Sequence, residues 1–184
     1  MARVSFRLSV NMKKNKKISI AHLNSYDQIG GAAKAAFLIH KKLNKQIFNS
    51  KFFVSKKISN DNSIFEVAMM NKYKFLPKKY KIENFIMKLF GKKKGADFFT
   101  SLFEYFNFQS NEELLKSDII SLYWVADSFI SAKQIYSFNK PIVWRLSDTS
   151  PFTGGCHYPS NCEKFTDSCM NCPEISKNTY FDLV

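Results

Sequence analysis

Three things are scarce in this sequence, and each scarcity excludes something. The first is uninterrupted apolar sequence. No run in the 184 residues approaches the ~18–20 apolar residues that span a bilayer. Arg3 and Arg7 interrupt the N-terminus, so the continuous apolar core of a secretory signal is missing as well. These absences place the chain in the cytosol. The second is acidic residues in residues 1–100, where 5 Asp+Glu stand against 22 Lys+Arg, a net of +17. Residues 101–184 reverse the balance, with 10 against 6 and a net of −4, which leaves the overall +13. Such asymmetry suggests an anionic partner for the first half: a membrane surface, nucleic acid or a phosphorylated substrate. The plainer explanation is a Lys-rich composition from an AT-rich genome, since Asn, Ile and Phe are also abundant. The third is cysteine, which is absent until Cys156 and then recurs at Cys162, Cys169 and Cys172. In a cytosolic chain such clustering suggests metal or thiols before disulfides.

What is present is enough for a packed domain. With 45% hydrophobic residues, including 19 Phe and 8 Tyr, the chain can bury a core, and disorder is excluded. Its length is that of about one domain, and no internal repeat is visible. Residues 1–16 read as a basic extension; Met12 followed by a lysine run is a plausible alternative start. Residues 17–23 (KISIAHL) read as a buried strand, and Asn24 to Ile29 as a polar loop. Gly30 and Gly31 open AAKAAFLIHKKL, a helix pattern rich in Ala, Leu and Lys. Residues 50–55 suit a second strand, giving β-loop-α-β. Residues 82–90 have helical spacing, Phe98 to Phe108 is aromatic and ambiguous, and Asn111 to Lys116 reads as a short helix. Then follow a strand at 118–124, a helix at 127–137 and a strand at 141–146. Continuous apolar strands between helices predict a parallel sheet covered on both faces, that is, an α/β Rossmann-like domain over residues 17–150. Beyond Asp148 the composition turns to Gly, Pro, Ser, Asn and Cys, and residues 151–184 read as a Gly/Cys-rich segment packed on the same domain.

Four features bear on chemistry. Gly30-Gly31 sits at a strand-loop-helix junction, where backbone can approach a ligand and a helix N-terminus offers N–H groups to an anion. It is neither the dinucleotide fingerprint nor a P-loop, and a tight turn into the helix is the plain alternative. Asp148 lies just past a predicted parallel strand, where open α/β sheets place their ligand crevice. It would face that crevice with Thr153, Gly154, Gly155 and His157; the plain alternatives are a turn residue for Asp148 and a packed ring for His157. The cysteines form C-x5-C-x6-C-x2-C. Four thiolates satisfy tetrahedral zinc, and Cys169-x2-Cys172 has ligand spacing; structural zinc, unliganded thiols and disulfides all stay open. Residues 72–94 hold nine lysines and one acidic residue, Glu83, with Ile82, Phe85, Ile86, Leu89 and Phe90 on one helical face. That suits an anionic bilayer surface, or a helix packed on the sheet with its lysines in water.

Three blocks carry a resemblance. They are GGAAKAAFLIHKKL after the first strand, DIISLYWV, and PIVWRLSDTSPFTGGCHYPSNC with CMNCP. In order and spacing, over about residues 17–175, they resemble the N-terminal domain of family 4 glycosyltransferases of the GT-B fold, in particular the bacterial colanic acid and capsular polysaccharide transferases. The resemblance implies transfer of a sugar from a nucleotide-sugar donor to a glycan or lipid-linked acceptor. It implies an acceptor-side role for this domain, a glycine loop near the donor phosphates, and a donor-binding C-terminal domain that lies outside this sequence. On it, Asp148 is the expected catalytic residue, and Gly30, Gly31, Trp124, Arg145, Thr153, Gly154, Gly155 and His157 are the expected substrate contacts. Cys156, Cys162, Cys169 and Cys172 remain the candidate metal ligands. Many relatives carry His before the Asp of the third block, where this chain has Ser147. The family's paired glutamates find only Glu104 and Glu112, upstream of a strand in the wrong domain, a chance match. A lipid-linked acceptor would fit a chain held peripherally at the inner face of the membrane. The competing readings are a basic, zinc-bearing binding module and an inactive remnant of a transferase. The lysines lie apart from the cysteines and no nucleic-acid signature is present, which argues against a nucleic-acid partner.

Overall fold

A computed structural model of the chain describes residues 17–44, 47–74, 85, 104–153, 156–169 and 172–173. Residues 1–16, the pair Gly154–Gly155, residues 174–184 and all of the basic segment except 72–74 and Phe85 lie outside the described residues.

Five strands form one all-parallel sheet: β1 (Ser19–Leu23), β2 (Asn49–Val54), β3 (Ile64–Glu66), β4 (Ile119–Leu122) and β5 (Ile142–Trp144). Their order is β3-β2-β1-β4-β5. The chain winds outward from β1 to β3, then returns past β1 to lay down β4 and β5. The order therefore reverses between β1 and β4, a topological switch point with a crevice beyond the carboxyl ends of those strands.

The central strands β1 and β4 are largely buried because both faces are covered, whereas the edge strand β5 leaves Ile142 and Val143 exposed. On one face α1 (Gly30–Asn44) lies against β2. Its Ala33, Ala36 and His40 are buried at spacings of one and two turns, and Ala36 packs with Phe52 and Val54. No acidic side chain occupies its first turn, while Lys41 and Lys42 oppose the helix dipole at its end. On the other face Ala21, Leu23, Phe53, Ile120 and Leu122 meet Leu114 of α2 (Glu112–Leu115) and Phe138 at the end of α3 (Ala132–Ser137). Phe106, Phe108 and Phe138 pack edge-on around this cluster, the first two against Phe129 and Phe138 against Phe108, with ring centroids 5.2–5.8 Å apart. The aromatic stretch that ended ambiguously at Phe108 thus supplies core.

Two elements depart from the sequence reading. β3 was not foreseen. The helix expected from residue 127 begins at Ala132. Asp127 and Ser128 adopt positive φ (61° and 57°), and Ser131 caps α3 through a reciprocal capping box with Gln134. Among the described residues no helix is long and apolar enough to cross a membrane.

Candidate functional site at the carboxyl edge of the sheet

The loop after β1 is polar yet buried, and its bonds explain why. Asn24 accepts the Trp124 N–H at 2.8 Å and donates to the Tyr26 carbonyl at 2.6 Å. Ser25 donates its hydroxyl to the Ala126 carbonyl and its N–H to the Trp124 carbonyl. The fully buried Asp27 accepts the N–H groups of Ile58 and Ser59 at 3.0 and 2.8 Å. One loop is thereby tied to the ends of both neighbouring strands, and it delivers α1 to the switch point in a fixed pose. At the helix start Gly30 has φ +81°, which a side chain would strain. A Cβ added at Gly30 or Gly31 would meet nothing within 4 Å, because both glycines face open space.

That space is a cavity of about 560 Å³. Tyr26, Gly30 and Gly31 wall one side, Trp124 the middle, and Arg145, Asp148, His157 and Tyr158 the other. Six of the expected site residues therefore line one cavity: Gly30, Gly31, Trp124, Arg145, Asp148 and His157. Thr153 does not; it lies with the cysteines in a second, smaller cavity and donates its hydroxyl to the Cys156 carbonyl at 2.8 Å. Gly154 and Gly155 lie outside the described residues.

Asp148 is committed on both oxygens. Oδ1 accepts the Ser150 N–H and hydroxyl, and Oδ2 accepts from His157 Nδ1 at 2.8 Å. The side chains are nearly buried, 7% exposed for Asp148 and 16% for His157. Partial burial alone would raise the Asp148 carboxyl, but the bonds from Ser150 and His157 outweigh it and hold the group below its ordinary value. Because an ionised carboxylate only accepts, His157 Nδ1 is the donor in this bond. The Thr149 N–H and hydroxyl both donate to the His157 carbonyl. His157 stacks on Trp124 at 5.9 Å, and Trp124 stacks on Tyr26 at 6.2 Å. Three rings from three loops thus form one ladder. Tyr26, Tyr158, Thr149 and Ser150 were not foreseen; the only sequence signal was proximity to a strand end or to His157.

Beneath the site, between α1 and the sheet, lies a second polar group. His22 Nδ1 is 2.9 Å from the Tyr123 hydroxyl, while His40 bridges the hydroxyls of Ser50 and Ser63 at 2.7 and 2.8 Å. Burial, and then the neighbouring His40, press His22 down to about 3. Burial likewise presses His40 down to about 4, against the opposing pull of Asp61. Burial also raises the Tyr123 hydroxyl. Both imidazoles are therefore neutral at ordinary pH.

The four cysteines, Cys156, Cys162, Cys169 and Cys172, all line the smaller cavity. Among the described residues, no three His, Cys, Asp or Glu side chains stand gathered at ligating separation. No family profile, curated protein or solved structure matches the chain.

Proposed function

We propose that this chain is the acceptor-side half of a GT-B-type glycosyltransferase, which moves a sugar from a nucleotide-sugar to a glycan or lipid-linked acceptor. The observation that carries the reading is convergence: residues from each of the three sequence blocks line the one switch-point cavity. The chemistry of that wall suits such a ligand. The N–H groups at the start of α1 and the Arg145 guanidinium favour a diphosphate. The exposed Tyr158 ring offers an apolar face to a sugar ring, beside the Tyr26–Trp124–His157 ladder. His157, held by Asp148, stands in a fixed pose on the cavity wall, where an acceptor hydroxyl would lie. On this reading Asp148 positions His157, and His157, rather than Asp148, meets the substrate.

The donor is completed by a second, donor-side half. The chain alone should therefore bind a nucleoside diphosphate sugar weakly and transfer nothing, and it should transfer once the donor-side half is supplied. A radiolabelled sugar-nucleotide assay reads both. Full turnover by the chain alone, or none with the donor-side half present, overturns the reading. A lipid-linked acceptor would bring the enzyme to the membrane, and the nine lysines of residues 72–94 supply the attraction. Co-sedimentation with anionic vesicles, lost on adding salt, is the corresponding check.

A further inference from the structure

The segment after β5 is built unlike the sheet. From Ser147 to Pro173 its described residues include no strand and a single short helical turn, Lys164–Thr166. None of them belongs to either hydrophobic cluster of the domain. Yet the segment carries His157, one wall of the candidate site, and must hold it steady. Its enclosed space is a cavity of about 30 Å³, room for a single ion. All four cysteines of the chain line that cavity, although they are spread from Cys156 to Cys172. Cys172 is buried.

We propose that this cavity is a structural zinc site closed by Cys156, Cys162, Cys169 and Cys172. Four thiolates give the closed tetrahedral set that structural zinc takes, and Cys169-x2-Cys172 has the spacing of one ligand pair. Since the side chains are not gathered at ligating separation, binding has to draw the four thiols together across the cavity. Each thiol gives up its proton as its sulfur bonds the metal, so uptake releases protons to the buffer. The resulting centre carries a double negative charge, and Lys164 lies on the same cavity wall to offset it. For a segment without an apolar core, the metal supplies the cross-link that burial does not. The centre also reaches the candidate site. The Cys156 carbonyl accepts the Thr153 hydroxyl at 2.8 Å, and Cys156 adjoins His157. Zinc therefore fastens the loop that presents His157. This inference stands apart from the glycosyltransferase reading, and either can fail alone.

The test uses the whole chain, purified under reducing conditions without chelator. Elemental analysis should find about one zinc per chain. Cobalt replacement should give the charge-transfer absorption of a thiolate-bound ion. Cys169→Ser with Cys172→Ser should abolish both. Should that variant fail to fold, titrating the parent with a thiol-blocking reagent serves instead, and zinc should leave in proportion to the thiols blocked. Less than about a tenth of a zinc per chain after reconstitution with excess metal overturns the proposal. So does an intact mass showing the hydrogens lost to disulfides.

Discussion

The sheet and the segment that follows it are stabilised by different means. In the sheet, Phe52, Phe53, Leu23, Ile120 and Leu122 are fully buried, and apolar contact on two faces carries the fold. In the segment, Phe152 and Tyr158 are exposed, and order comes from short polar links: Thr149 to the His157 carbonyl, Ser150 to Asp148, Thr153 to the Cys156 carbonyl. The candidate site lies where the two meet. The sheet supplies a rigid floor and the glycine turn; the segment supplies the ionisable side chains. Rigid scaffold and chemically active loop are thus separate stretches of sequence.

The strongest way to break the comparison is to cut the same kind of side chain from each part. Phe53→Ala should cost about 3–5 kcal/mol, because the ring is fully buried in the larger cluster. Phe152→Ala, at a ring 60% exposed, should cost less than about 0.5 kcal/mol. Denaturant midpoints for the two variants decide it, and comparable losses would mean that the segment has a core of its own.

Acid should test the floor next. His22 and His40 titrate near their ordinary value when unfolded, but only near 3 and 4 when folded. Between those limits the unfolded chain binds more protons. Stability is therefore fully present above about pH 6.5 and falls as pH drops toward 4. The loss should reach about 2 kcal/mol between pH 6.5 and 5.5, from about 1.4 kcal/mol per histidine per full pH unit once titration is well advanced. Urea unfolding at a series of pH values reads this directly. A flat profile would show that the two imidazoles bind protons in the fold as readily as in the unfolded chain.

The smallest effect on stability should come with a clear effect on binding. Gly31→Ala adds a methyl where nothing lies within 4 Å, in a helix that favours Ala over Gly. Stability should stay level or rise by up to about 1 kcal/mol, while affinity for a nucleoside diphosphate sugar should fall about tenfold, or about 1.4 kcal/mol. Calorimetric titration of parent and variant checks both. Unchanged affinity would return Gly31 to the role of a simple turn residue.

Most of the sheet was legible in the sequence because its strands lie in apolar runs between helical patterns. β3 was not: Ile64-Phe65-Glu66 ends on a charged residue and follows the polar Asp61-Asn62-Ser63, so it does not stand out as an apolar run. The start of α3 was misplaced although Ser131 and Gln134 spell a capping box; the apolar residues before them continued the helical pattern and masked it. At the site, Asp148 could be found because it falls just after a strand's end, where a parallel sheet gathers its ligands, and Gly30 and Gly31 because they open a helix after a strand and loop; Trp124 and Arg145 came from the resemblance alone. The supports could not. Asp27 bonds residues about thirty positions away and Asn24 one a hundred away, and such pairings have no local pattern.

The placing of β1 has a consequence for how the chain comes to be folded. Among the described residues β1 is the first strand made, yet it sits in the middle of the sheet, and Ile20 pairs across to Ile119. During synthesis β2 can cover one side of it early, but the other side stays open until β4 has left the ribosome. Through that interval an apolar strand presents an unsatisfied edge, a template for pairing with the wrong neighbour. Pairings so distant in sequence also fold slowly. The step that joins β1 to β4 is therefore where yield is decided, and it is the step at which a chaperone or a lower growth temperature would help most.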